Sequence, residues 1–140
     1  MNPQLTEEAL FEAPARLHPR ILLVDDEPVV LSVTTTILHR SNYRVIQVRS
    51  GEAAIERLQS EAFDLIMTDF RMPGKSGIDV VLAARQAHPR IPVVLMTGRI
   101  DDVPPWMRWG ESAVPIILKP FLMVELLRVV NHALLTRKSA

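Results

Sequence analysis

Phe63-Asp64-Leu65-Ile66-Met67-Thr68 runs into Asp69 and then directly into Phe70-Arg71-Met72-Pro73-Gly74. The apolar run reads as a short strand buried on both faces, and the Pro-Gly pair marks a turn. Asp69 is therefore a single carboxylate at the mouth of a buried strand. Three more runs end in polar groups. Ile21-Leu22-Leu23-Val24 leads into Asp25-Asp26, Pro92-Val93-Val94-Leu95-Met96 into Thr97, and Val114-Pro115-Ile116-Ile117-Leu118 into Lys119-Pro120. Together with a run near Tyr43, five strands buried on both faces are expected, over about 20–25, 43–48, 63–68, 92–97 and 114–118.

The segments between them carry helical spacing. Pro28 fits the first turn of a helix reaching about residue 40, with Val29, Val33, Ile37 and Leu38 on one side. Residues 51–60 carry Ala54, Ile55 and Leu58, and residues 77–88 carry Ile78, Val81 and Leu82. The longest helix is expected over 121–135, with Leu122, Leu126, Val129, Val130 and Ala133 as its apolar stripe. Strands alternating with helices imply an α/β domain whose parallel sheet is wrapped on both sides. Crossovers in such a sheet are right-handed, and sites form outside the carboxyl ends of the strands where strand order switches. Residues 1–19 differ: Pro14 and Pro19 interrupt a short helical start at Thr6-Glu7-Glu8, so a tail or linker is expected there.

Composition narrows the class. The chain of 140 residues is 48% hydrophobic, 23% charged and 5% aromatic, which suits one globular domain with a real core. Sixteen basic residues balance sixteen acidic ones, so no net field draws it to nucleic acid or to an anionic membrane. Without cysteine there is no disulfide, thiolate catalysis or Cys-type zinc site. Residues 1–10 lack the order of a signal peptide, and no apolar stretch reaches the roughly 18 residues a membrane span needs. The expectation is a soluble cytoplasmic domain.

Each strand-end residue has a plainer reading when taken alone. Asp25 or Asp26 could cap the helix at Pro28, Asp69 could open a turn, Thr97 could end a strand, and Lys119 could be a solvated lysine. Together they sit at four of the five expected strand ends, on one edge of the sheet. Clustered carboxylates stay ionised only beside compensating cations, and a hard ion such as Mg²⁺ suits them. An Asp carboxylate is also a nucleophile toward phosphorus, while a metal and a lysine neutralise phosphoryl oxygens. No P-loop, zinc motif or serine triad is present, and His18, His39, His88 and His132 are scattered.

These pieces, with Glu27-Pro28, Gly77, Thr97-Gly98 and Lys119-Pro120-Phe121, resemble the receiver domain of bacterial two-component response regulators over about residues 20–137. The likeness to single-domain, chemotaxis-type regulators implies a flavodoxin-like doubly wound five-stranded parallel sheet of order 2-1-3-4-5. Asp69 is then the phospho-acceptor, taking a phosphoryl group from a histidine kinase or histidine phosphotransfer protein. Asp26 and Asp69 would bind Mg²⁺, or Mn²⁺ in its place, with the Arg71 carbonyl, and Asp25 would act through water. Lys119 would pair with the phosphoryl group, Thr97 would move to hydrogen-bond it, and Lys119-Pro120 would be cis. The domain catalyses only its own phosphorylation and dephosphorylation, and it signals by protein contact rather than by binding nucleic acid or membrane.

Departures from the family pattern carry their own expectations. An aromatic residue is usual three before the lysine, and here that position is Ile116, which has no ring to swing inward. Asp101-Asp102-Val103-Pro104-Pro105 leaves barely one turn before Gly110, so the fourth helix is expected to be short or displaced. Trp106 and Trp109 either fill core or form a partner patch. Arg71 and Arg99, two residues after Asp69 and Thr97, would shield an acyl phosphate from water and give it a lifetime of minutes or more. Output is expected through residues 98–110. No output domain is expected after Ala140, because the last expected helix uses up the sequence. A receiver module of a hybrid histidine kinase is the alternative within the family. A haloacid-dehalogenase-type phosphohydrolase is a remote one, because it needs an acid where Arg71 stands.

Overall fold

The computed structural model describes residues 18–136. Of the tail or linker expected over residues 1–19, residues 1–17 lie outside the described residues, as does the expected domain end at residue 137. Five strands form one parallel sheet: β1 (Arg20–Val24), β2 (Arg44–Val48), β3 (Leu65–Asp69), β4 (Val93–Thr97) and β5 (Ile116–Leu118), in the order β2-β1-β3-β4-β5. The helices are α1 (Pro28–Arg40), α2 (Gly51–Ser60), α3 (Gly77–Ala87), α4 (Pro105–Arg108) and α5 (Met123–Thr136). The architecture is the one expected.

Alternation along each strand sorts side chains into two cores. Ile21, Leu23, Leu65, Met67, Val94 and Met96 face α1 and α5, meeting Leu31, Leu38, Leu126 and Val130. Leu22, Val24, Ile66, Val93 and Leu95 face the other side, meeting Ala54 and Leu58 of α2 and Val80, Val81 and Ala84 of α3. The central strands β3 and β4 are buried along their whole length. The edges are not: in β2 only Val48 is buried, and β5 is three residues long with one buried. Expecting both to be sandwiched strands overstated them, because an edge strand has cover on only part of its surface.

Helix boundaries follow local chemistry. Pro28 opens α1 at a position whose N–H has no helical acceptor. Ser50 caps α2 by accepting from Ala53 N at 3.1 Å. Ser76 and Asp79 cap α3 reciprocally: Ser76 Oγ accepts from Ile78 N, and Asp79 Oδ2 accepts from Ser76 N. Three helix faces differ from expectation. In α1 the buried residues are Leu31, Thr34 and Leu38, whereas Val29 and Val33 stand 73% and 53% exposed. In α3 Leu82 points outward and Val80 and Ala84 point inward, and Leu122 precedes α5 in the open. Each helix carries more than one possible apolar stripe, and the sheet selects among them.

The short fourth helix is as expected, a single turn preceded by a 3₁₀ turn over Ile100–Asp102. Of the two readings of the tryptophans, core filling is not met: Val103 and Met107 are buried, while Trp106 is 43% and Trp109 71% exposed. Val103 and Met107 are one helical turn apart in spacing and share the α3-side core. Among the described residues no helix is long and apolar enough to cross a membrane.

Candidate functional site

Parallel register brings the strand ends level. Val24 lies opposite Thr68 and Asp69 opposite Met96, so the residue after β1, Asp25, comes alongside Asp69. Backbone bonds lock this edge: Asp25 N donates to Val48 O at 3.2 Å, Phe70 N to Met96 O at 2.8 Å, and Lys119 N to Thr97 O at 2.8 Å. The turn after β3 is pinned by Gly77, whose N–H donates to Phe70 O at 2.8 Å. A Cβ at Gly77 would lie 2.6 Å from Asp69 O and 2.8 Å from Phe70 Cα, so any side chain there pushes on the backbone carrying Asp69.

Asp25, Asp26 and Asp69 converge, each with one carboxylate oxygen within 4.8 Å of the others. Asp25 is fully buried and does not cap α1; its Oδ1 accepts from Glu27 N at 2.9 Å, shaping the loop before the helix. Lys119 Nζ reaches over the group, 2.8 Å from Asp25 Oδ2, 3.2 Å from Asp69 Oδ1 and 3.0 Å from Glu27 Oε1. The ammonium is the cationic partner of that buried Asp25 oxygen. The peptide bond between Lys119 and Pro120 is cis.

The electrostatics are those of excess negative charge. Burial and the nearby Asp25 carboxylate push Asp69 from 3.8 up to about 6, against the opposing pull of Lys119. Burial raises Asp25 too, with Lys119 working the other way. For Lys119, burial alone would depress the ammonium, but Asp25, Glu27 and Asp69 outweigh it and hold it well above its ordinary value. One ammonium does not balance three buried or half-buried acids. Three carboxylates with oxygens within 4.8 Å of one another, and a single ammonium against them, form a set of hard oxygen ligands that fits a divalent cation such as Mg²⁺.

Thr97 lies across the cleft from this cluster. Its Oγ1 is tied to the backbone of Arg99, 3.1 Å from the carbonyl and 3.2 Å from the N–H. Asp69, Arg71, Thr97, Gly98, Arg99 and Asp102 line one open cleft. Ile116 packs, half buried, against the α3-side core. All the strand-end residues singled out in the sequence therefore meet at one place. Two participants were not foreseen. Glu27 has a signal of sorts, an acid next to the Asp pair and before the N1 proline. The pairing of Arg71 Nε with Asp102 Oδ2 at 3.0 Å spans 31 positions and left no trace in the pattern.

Comparison with known proteins places this geometry. The response regulator receiver domain family model matches residues 21–131. Among curated proteins, the response regulator FleR of Pseudomonas aeruginosa is 36% identical over 118 residues, covering 82% of this chain and 24% of its own. The transcriptional regulatory protein CpxR of Escherichia coli is 34% identical over 102 residues, covering 73% of this chain and 43% of its own. The chain thus spans less than half the length of either. Among solved structures, a response regulator receiver protein from Sinorhizobium medicae aligns with a TM-score of 0.78 and 31% identity, covering 87% of this chain and 98% of that one. The receiver domain of a sensor histidine kinase from Pseudomonas aeruginosa, with a magnesium ion coordinated in its active-site cleft, aligns at 0.75 and 27%, covering 85% and 99%.

Proposed function

The chain belongs to the response regulator receiver domain family, and from that premise we propose that Asp69 is its phosphoryl acceptor. The donor is a histidine kinase or histidine phosphotransfer protein, and the output is contact with a further protein. The receiver domain is taken as residues 20–137, with 1–19 as a tail or linker, acting in the cytoplasm. The observation that carries this reading is Asp69 at the end of β3, 3.2 Å from Lys119 and clustered with Asp25 and Asp26.

An Asp69 carboxylate oxygen attacks the phosphorus of the phosphohistidine. The O–P bond forms as the P–N bond breaks, and the leaving imidazole takes up a proton. Asp26, Asp69 and the Arg71 carbonyl would hold Mg²⁺, or Mn²⁺ in its place, with Asp25 acting through water. Such an ion supplies positive charge against the phosphoryl oxygens. Lys119 exchanges its contact with Asp69 for one with a phosphoryl oxygen. Thr97 leaves the Arg99 backbone to donate its hydroxyl to another. The site needs no outside general base, because a carboxylate is already the nucleophile once ionised.

The direct test is incubation with acetyl phosphate and Mg²⁺ followed by intact mass. One added phosphoryl group per chain is expected, none with EDTA, and no adduct in either case would sink the reading.

The donor's docking place is supported by an apolar groove beside the site. Val29, Val30 and Val33 of α1 face Pro120 and Phe121 across it, and Glu27 and Lys119 border both groove and site. A protein presenting a phosphohistidine must hold its phosphorus against Asp69, and this groove lets it bury apolar surface while doing so. Val33→Glu is expected to slow transfer from a competent phosphotransfer protein by about tenfold or more, as at a buried interface anchor. Loading from acetyl phosphate should stay near the wild-type rate. Equal loss with both donors, or none with either, would remove the groove from the scheme.

A further inference from the structure

Arg71 is 77% exposed at its side chain and reaches across the cleft mouth to Asp102, which is only 18% exposed. Asp102 ends the 3₁₀ turn that opens the segment following β4, and its own N–H donates to Arg99 O at 3.2 Å. The same turn is tied to the site a second time through Thr97, whose hydroxyl bonds the Arg99 backbone. Just beyond, Val103 and Met107 are buried anchors, and Trp106 and Trp109 stand on the exposed side. Segment 99–102 is thus held to the cleft by two side-chain contacts, both made by residues that line it with Asp69.

We propose that Asp102 is a positioning residue for Arg71: it holds the guanidinium away from Asp69, and a phosphoryl group on Asp69 takes that guanidinium from it. The proposal rests on Asp69 being the acceptor. An ion pair with one partner largely in water is weak. A phosphoryl group brings roughly −1.5 to −2 charges and several acceptor oxygens, which suit the planar fork of an arginine. Asp102 is a monoanion at the far side of the same cleft, so it competes for Arg71 and loses. The exchange has two consequences. Arg71 then lies over the phosphorus and obstructs the water whose attack expels the Asp69 carboxylate and returns inorganic phosphate. The Ile100–Asp102 turn loses its tie to Arg71 at the same moment that Thr97 lets go of Arg99. With Ile116 packed in place and carrying no ring, this double release is the path from phosphoryl group to the tryptophan-bearing segment.

The test is loss of radiolabelled phosphoryl from the whole chain at neutral pH after loading with acetyl phosphate. Asp102→Asn removes the competitor at constant shape and is expected to lengthen the half-life about two- to fivefold, the range open to an exposed ion pair. Asp102→Glu should restore the wild-type lifetime, and Arg71→Ala should shorten it. In the Arg71→Ala background, Asp102→Asn should add nothing, which a merely structural role for Asp102 would not produce. Tryptophan fluorescence gives the second readout: unphosphorylated Asp102→Asn should move part of the way toward the spectrum that beryllium fluoride and Mg²⁺ induce in the wild type. An unchanged lifetime, an effect that persists without Arg71, or an unmoved spectrum overturns the proposal. A wild-type chain that takes no phosphoryl overturns the acceptor assignment with it, whereas normal loading with unchanged lifetimes overturns this proposal alone.

Discussion

In the Asp69→Asn variant, phosphorylation from acetyl phosphate or a phosphohistidine donor is expected to vanish, while the metal-free domain becomes more stable at neutral pH. The first effect is loss of the nucleophile. The second follows from charge. The folded protein raises Asp69 from 3.8 to about 6, through burial first and Asp25 second. The folded state therefore binds the proton more tightly than the unfolded chain. Across that window stability falls as pH rises, because ionising Asp69 in place costs more than ionising it in the unfolded chain. Each tenfold gain in proton affinity corresponds to about 1.4 kcal/mol, and relaxation of the neighbours discounts the sum to on the order of 1–2 kcal/mol. Asparagine removes this cost. The gain in melting temperature should be present above about pH 6 and shrink toward the unfolded value of 3.8. Saturating Mg²⁺ should close the gap, since it stabilises the wild type by binding a complete carboxylate set. A variant that still gains phosphoryl at the wild-type rate would overturn the acceptor assignment. A variant no more stable at pH 7.5 than at pH 4 relative to wild type would overturn the electrostatic account.

Lys119→Ala is expected to be the most destabilising change at the site when divalent cations are absent. The Lys119 side chain is 15% exposed, and its ammonium lies within 3.2 Å of three carboxylates. Glu27 is 61% exposed and hydrates readily without it, so the cost falls on Asp25 and Asp69. Breaking a buried pair by removing one partner costs about 3–5 kcal/mol, and proton uptake by Asp69 brings the expected loss to on the order of 2–4 kcal/mol. Urea unfolding with EDTA measures it. Adding Mg²⁺ should recover most of the loss and bind more tightly than in the wild type, because the competing cation is gone. The beryllium fluoride response of the tryptophans should disappear, since the phosphoryl group has lost its link to β5. Equal stability of the two proteins in EDTA would mean that Lys119 does not neutralise the cluster in solution.

The chain order of strands, the polar residue at each strand mouth and the single turn of the fourth helix were legible because each is written in a few adjacent residues. β1, β3 and β4 announce themselves as unbroken apolar runs, since both of their faces are covered. β2 and β5 were overdrawn because burial at an edge depends on which elements flank it, and those lie elsewhere in the chain. The same limit governs helix faces. Val29, Val33 and Ile37 make as good a stripe on α1 as Leu31 and Leu38, yet the sheet takes the second pair and leaves the first two valines lining the groove beside Lys119. Val103 and Met107 rather than the tryptophans fill the core for a related reason: which side of the single helical turn faces inward is set by the elements packed against it.

By itself the sequence determined the sheet's central strands and which chemical groups end them, because hydrophobic periodicity and strand-mouth residues are local properties. Tertiary structure alone decided that Lys119 shares its charge with Glu27, 92 positions away, and that Arg71 answers to Asp102 rather than to Asp69. Such pairings depend on distances between chain segments that only the packed sheet brings together, and an ion pair leaves no periodic signature in either partner's neighbourhood.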